Sequence, residues 1–166
     1  MAVDCIIEDR RWADVNIVGL AVAAYESAMR HVGYDPEQFE IGLLACADDK
    51  IAELNAQFRE KPTPTNVLSW PSEERAAEED GGTPDPVMQH MTGDTFLGDV
   101  AISYETCARE AEEGDKPLES HATHLLVHGT LHLLGYDHER DGDAALMEGL
   151  ETQILAKMGI ADPYDQ

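Results

Sequence analysis

The sequence predicts an α+β fold, a small mixed sheet of about four strands flanked by about five helices, in a single domain over residues 1–166. Three observations lead there. The chain has 166 residues, 43% of them hydrophobic, which supplies one sizeable core but leaves too little length for a second full domain. Apolar residues recur with period two, or in compact strand-length runs, in four short segments, and with helical period in five longer ones. The longest apolar run, Leu125 to Leu134, is broken by His128 and His132 and falls far short of the roughly 20 residues that a membrane-spanning helix needs.

Taken in order, Val3, Cys5 and Ile7 alternate with Asp4, Ile6 and Glu8, the pattern of a short strand with one buried face. From about Asn16 to Val32, residues such as Leu20, Ala24, Tyr25 and Met29 recur at helical spacing, and Gly33 stands where a C-terminal cap belongs. Ile41 to Ala47 suits a buried strand, after which Asp48 or Asp49 can cap a helix carrying Ile51, Leu54 and Phe58 on one side. Prolines at 62, 64 and 71 exclude helix between Arg59 and Pro71, leaving Val67 to Trp70 for a third strand. The segment 72–95 is crowded with acids, glycine and proline, a composition that predicts a solvated, mobile acidic insertion within the domain. Leu97 to Ile102 returns to strand character, and Ser103 can cap a helix ending near Gly114. A longer helix follows Pro117 and runs to about Leu134, and a final amphipathic one runs from about Asp143 to Gly159.

Charge narrows the functional classes. Thirty-four acidic residues against eleven basic ones give a net charge of −23, so indiscriminate binding to nucleic acid or anionic membrane is excluded. Any polyanionic partner has to meet a local cationic patch, and Arg59 with Lys61, Arg10 with Arg11, and Arg140 are the residues available for one. The N-terminal MAVDCIIEDRRW has no long apolar region, so a cytoplasmic protein is expected. Cys5, Cys46 and Cys107 are odd in number and widely spaced, and read as reduced thiols.

Five of the seven histidines lie in HATHLLVHGTLHLLGYDH. His121, His124, His128 and His132 are spaced by three, four and four, which places them on one helix face. His128 and His132, one turn apart, can converge on one ion; Gly135 allows a sharp turn that returns His138 to the same point. Three imidazoles with an open fourth position are the pattern of a catalytic zinc site, with one Zn2+ per chain held by the helix and turn at 118–138. His121 and His124 precede this set and are candidates for supporting or substrate contacts. The spacing coincides with that of the HExxHxxGxxH zinc peptidases, but the position of their general base is Gly129, which can neither accept nor relay a proton.

HGTLHLLGYDH at 128–138, LGDVAIS at 97–103, and LNAQFR at 54–59 leading into PTNVLSWP at 64–71 resemble the bacterial YbeY endoribonucleases, the ribosomal RNA maturation factors. The resemblance implies one zinc ion on His128, His132 and His138, with Arg59 as the catalytic basic residue. It also implies a single-strand-selective endoribonuclease acting in 16S rRNA 3′-end maturation and ribosome quality control, partnered by single-stranded rRNA and by the small ribosomal subunit or its assembly proteins. On residues alone, Arg59 reads first as a surface arginine near a helix end, and the resemblance reverses that preference. Asp99 and Asp137 each have two readings, orienting a ligand histidine or capping a turn. Asn66 stands where the family commonly has Asp. A zinc hydrolase of another class, such as a peptidase with an unusual base, and a non-catalytic metal-binding assembly factor are the competing readings.

Overall fold

The structure is a computed structural model that describes residues 2–87 and 95–164. Four strands, β1 (Ala2–Ile7), β2 (Phe39–Cys46), β3 (Val67–Pro71) and β4 (Thr95–Ser103), form one sheet in the order β1-β2-β4-β3. The first three in that order are parallel and β3 is antiparallel on the edge, so the expected mixed sheet is present. Six α-helices accompany it: α1 (Arg11–Asp14), α2 (Ile17–His31), α3 (Asp48–Arg59), α4 (Tyr104–Glu113), α5 (Leu118–Leu133) and α6 (Asp141–Lys157). The short α1, and a 3-10 turn at Pro36–Gln38, carry no amphipathic period and so left no pattern to read.

The sheet has two unequal faces. Phe39, Ile41, Leu43 and Ala45 of β2 join Val100 and Ile102 of β4 in the main core with Tyr25 and Met29 of α2, Leu126 and Leu131 of α5, and Ile154 and Leu155 of α6. Side chains of this kind each contribute about 1.5–3 kcal/mol when fully buried. On the other face α3 packs, through Ile51 and Leu54 against Cys46, Leu68, Ala101 and Trp70. From Ala122 to Leu133, α5 is buried except at His124, His128 and His132, and it comes so close to the sheet at Gly129 that a Cβ there would lie 3.3 Å from Val100 Cγ1. The position that carries the base in zinc peptidases therefore points into packed sheet, and a carboxylate side chain has no room there.

Asp48, the expected cap of α3, is instead the first residue inside the helix, and the residue at the cap, Ala47, makes no side-chain bond. The Asp48 Oδ1 accepts hydrogen bonds from Ser103 Oγ at 2.5 Å, Thr106 Oγ1 at 2.6 Å and Thr106 N at 3.2 Å, tying the start of α4 to α3. Burial raises its pKa, but these bonds to the charged form outweigh it and hold the carboxyl below its usual range. A depressed acid adds stability above its unfolded pKa and loses it as pH falls through the folded one. Asp48→Asn is therefore expected to cost about 1–3 kcal/mol at neutral pH and to flatten the acid limb of the stability curve below pH 4; an unchanged acid limb in urea titrations would contradict this role.

Within the acidic segment, residues 72–87 make specific contacts. Arg75 is 5% exposed and donates to Leu133 O at 2.8 Å and Ser72 Oγ at 3.1 Å, placing a cation at the C-terminal end of α5, where the helix dipole favours it. Val87 joins the main core and its N–H donates to the Tyr34 hydroxyl. Arg140 donates to the carbonyls of Glu78 and Ala77, while Asp143 Oδ1 accepts from Gly81 N. Residues 88–94 of the expected insertion lie outside the described residues. Cys5, Cys46 and Cys107 are free thiols, and burial pushes Cys46 up to about 12, which leaves it unreactive.

Candidate metal centre

One turn of α5 separates His128 from His132, and their Nε2 atoms stand 3.0 Å apart. His132 Nδ1 donates to the carbonyl of Tyr136 at 2.9 Å and His128 Nδ1 donates to Glu151 Oε1 at 2.5 Å. Each Nδ1 thus carries the ring hydrogen, and both Nε2 atoms present lone pairs to the same point. Two lone pairs at that separation repel unless a cation lies between them. His138 completes the cluster with its ring 5.3 Å from that of His128 and 5.0 Å from that of His132, and the donor atoms of all three lie within 4.8 Å of one another. Burial first, and then the neighbouring His128 and His138, bring His132 down to about 4, which keeps it neutral and available as a ligand at physiological pH.

The turn that returns His138 is built as the spacing predicts. Gly135 has φ +107°, its N–H donates to His132 O, and Tyr136 N donates to Leu131 O at 3.0 Å, a helix-ending pattern that needs a residue without Cβ. Asp137 takes the turn reading, its Oδ1 accepting from His138 N at 2.7 Å. Asp99 takes neither reading. It lies on the α3 side of the sheet, in a groove with Asp4, Ile6, Leu54 and Trp70, where burial and then the charge of Asp4 raise its pKa.

Glu151 is the site residue that the sequence reading missed. Its side chain, on α6, is fully buried; it accepts from His128, accepts a short bond from the Tyr164 hydroxyl, and lies 3.7 Å from His124 Nε2. Burial would raise its pKa, but the bonds from His128 and Tyr164, with the His124 ring nearby, outweigh it and bring Glu151 down to about 2. The signal was a lone carboxylate on the stripe Met147, Glu151, Ile154, Met158, where an unpaired charge would be costly. Partners of this kind orient a ligand imidazole and raise its basicity, and their loss typically lowers metal affinity about 10- to 100-fold. Glu151→Gln, which keeps an acceptor but removes the charge, is expected to weaken metal binding by about tenfold or more on that basis; chelator competition giving wild-type affinity would show the charge to be dispensable.

A cleft of about 510 Å³ opens over the three histidines, walled by Phe58, Arg59 and the strip Thr65 to Trp70. Arg59, at the end of α3, is exposed, and its guanidinium has no hydrogen bond or ion pair among the described residues. Among the described residues it is the one Lys or Arg lining the cleft. Arg11 is engaged with Asp9 and stacked on Tyr104, Arg10 lies in a separate surface pocket, and Arg140 is held by Asp143, so the scattered bases do not assemble into one groove. His121 donates to Glu110 Oε1 at 2.9 Å, and neither it nor His124 belongs to the ligand cluster.

An α+β fold that brings together three imidazoles able to hold a metal ion, beside a free guanidinium, has the framework of a hydrolytic protein. Comparison with known sequences gives the family: residues 7–159 match the one described as Endoribonuclease YbeY, and the chain belongs to it. Proteins called endoribonuclease YbeY from Ruegeria pomeroyi and Ruegeria sp. (strain TM1040) are 56% and 54% identical over 99% of this chain and 98% and 96% of their own lengths. A solution structure from Thermotoga maritima superposes with a TM-score of 0.54 over 99% of both chains at 19% identity, and supports the fold alone.

Proposed function

We propose that this protein is a zinc-dependent, single-strand-selective endoribonuclease of 16S rRNA 3′-end maturation and ribosome quality control, working in the cytoplasm as one domain over residues 1–166. The observation that carries the reading is the convergence of His128, His132 and His138 on one point inside the cleft that holds the free guanidinium of Arg59. A zinc ion on these three nitrogens supplies Lewis acidity toward a phosphodiester. Arg59 offers a fork of donors to the nonbridging oxygens as they gather charge, and Glu151 and the Tyr136 carbonyl hold the His128 and His132 rings in place. Phe58, 60% exposed and edge-on to Trp70 at 5.4 Å, gives an unpaired base an aromatic face to stack on, which favours single strands over duplex. The peptidase alternative loses support because position 129 faces Val100.

With a net charge of −23 and, among the described residues, one Lys or Arg in the cleft, affinity for naked RNA should be weak and fall further with salt, so delivery by the small ribosomal subunit or an assembly protein fits the charge balance. The test is cleavage of single-stranded rRNA by protein of determined metal content, comparing wild type, Arg59→Ala and a chelator-treated sample. About one zinc per chain is expected, with cleavage lost after chelation and reduced about 10²- to 10³-fold by Arg59→Ala, as for removal of one transition-state donor. Zinc bound without cleavage would leave the non-catalytic assembly factor as the surviving reading.

A further inference from the structure

After α6 ends at Lys157 the chain reverses: Gly159 has φ +79°, its N–H donates to Ala156 O at 3.1 Å, and Ile160 N donates to Leu155 O at 2.9 Å. Ile160 packs against the main core. Asp162 Oδ1 accepts from Thr152 Oγ1 at 3.1 Å and from Tyr164 N at 2.9 Å, so residues 159–164 lie back along α6 and bring the Tyr164 ring to the turn that carries Glu151. There the Tyr164 hydroxyl donates to Glu151 Oε2, while Oε1 accepts from His128 Nδ1 at 2.5 Å. The ring stands edge-on to that of His124 at 5.7 Å. His124 Nδ1 is buried with no partner among the described residues, which puts the ring hydrogen on Nε2, 3.5 Å from the Tyr164 oxygen.

We propose that Tyr164 is a positioning residue of the metal centre: its hydroxyl holds Glu151 in the orientation that places Oε1 against His128, so that the strap at 159–164 sets metal affinity through the carboxylate behind the ligand. Glu151 has no exposed surface, and each of its two oxygens has one close donor. Without the hydroxyl, Oε2 is left buried with His124 Nε2 at 3.7 Å, too far for a hydrogen bond. An unpaired carboxylate oxygen is costly inside the protein. Glu151 relieves that cost by turning toward His124, and the turn draws Oε1 away from His128 Nδ1. The imidazole then loses the partner that fixes its ring and raises the basicity of Nε2. His124, on the histidine stripe but outside the three-residue cluster, supports the arrangement from the other side by facing the Tyr164 oxygen.

The proposal rests on the three-histidine zinc reading and not on the RNA substrate, so zinc affinity rather than cleavage is measured. Chelator competition is run on the full chain as wild type, Tyr164→Phe, Glu151→Gln and the double variant. Tyr164→Phe keeps the ring beside His124 and removes only the hydroxyl; it is expected to weaken zinc binding about tenfold. In the Glu151→Gln background the same substitution should change affinity by less than about twofold, because the group through which it acts is already gone. A hydroxyl that only stabilised the fold would cost the metal-free and zinc-bound proteins equally. Wild-type affinity in Tyr164→Phe would therefore overturn the proposal, as would an undiminished loss in the Glu151→Gln background. A second measurement needs no Glu151 variant: in imidazole NMR spectra of the zinc-loaded protein, Tyr164→Phe should shift the His128 Nδ1–H resonance and leave that of His132, bonded to the Tyr136 carbonyl, in place. Equal movement of both, or of neither, would also overturn it. A wild type that retains no zinc would overturn the zinc reading itself, which separates that failure from a Tyr164→Phe variant that binds zinc as tightly as wild type.

Discussion

His132→Ala is expected to abolish metal retention and, with it, RNA cleavage, leaving activity at the level of chelator-treated wild type. The imidazole is one of three nitrogen donors within 4.8 Å of one another, and even partners that merely orient a ligand are worth about 10- to 100-fold in affinity, so loss of the ligand itself should exceed a hundredfold. The fold should survive, because the half-exposed side of α5 carries this residue while the core side carries Leu126, Val127 and Leu131. In the metal-free protein the variant also changes the response to pH. Burial and the neighbouring histidines depress the His132 pKa from 6.5 to about 4, so between those values the unfolded chain binds the proton more readily. Wild-type metal-free protein therefore loses stability as pH falls from about 6.5 toward about 4, and His132→Ala should lose less over that window. Zinc analysis after dialysis, with denaturant titrations at several pH values, measures both effects; a variant that keeps one tightly bound zinc ion would refute the ligand assignment.

Gly135→Ala should be among the most disruptive substitutions outside the three histidines themselves. The residue sits at φ +107°, and a Cβ there would lie 2.7 Å from the carbonyl oxygen of Arg75 and 2.8 Å from its carbonyl carbon and Cβ. Backbone cannot swing aside as a side chain does. Strain of about 1–3 kcal/mol for the dihedral and about 1–3 kcal/mol for overpacking give a loss of roughly 2–6 kcal/mol, or on the order of 5–20 °C in Tm for a domain of this size. Relief requires either the turn to shift, which takes the Tyr136 carbonyl from His132 and His138 from the cluster, or Arg75 to leave the end of α5. Zinc content should therefore fall together with Tm. Gly33 is the control, since it has φ +97° and nothing within 4 Å of its would-be Cβ: Gly33→Ala reports dihedral strain alone and should keep full zinc content. Equal effects of the two substitutions would show that the packing of Arg75 on the turn is unimportant.

The four strands, the five long helices and the three-histidine cluster were legible because each depends on spacing along the chain. A period of two or 3.6, or a histidine one turn from another with a glycine where the turn must reverse, acts over a few residues and leaves its mark in the order of residues. Arg75 and Glu110 left no such mark, and Glu151 left only that of a carboxylate on an apolar helix stripe. Arg75 lies in the run EERAAEE, which has the composition of a solvated loop, and its burial comes from a carbonyl 58 residues away. Asp48 looked like a local cap and serves a helix more than 50 residues further on, while Asp99 was separated from the histidines by the face of β4 it happens to occupy.

The sequence by itself determined that this chain forms an α+β fold and that His128, His132 and His138 converge as a candidate ligand set, since local periodicity and covalent spacing suffice for both. Only the tertiary structure decided which carboxylate supports His128, which arginine faces the cleft alone, and why glycine occupies position 129. Those answers depend on distances between residues far apart in the chain, 23 positions for His128 and Glu151 and 69 for Arg59 and His128, and such distances exist only once burial of the core has brought the elements together.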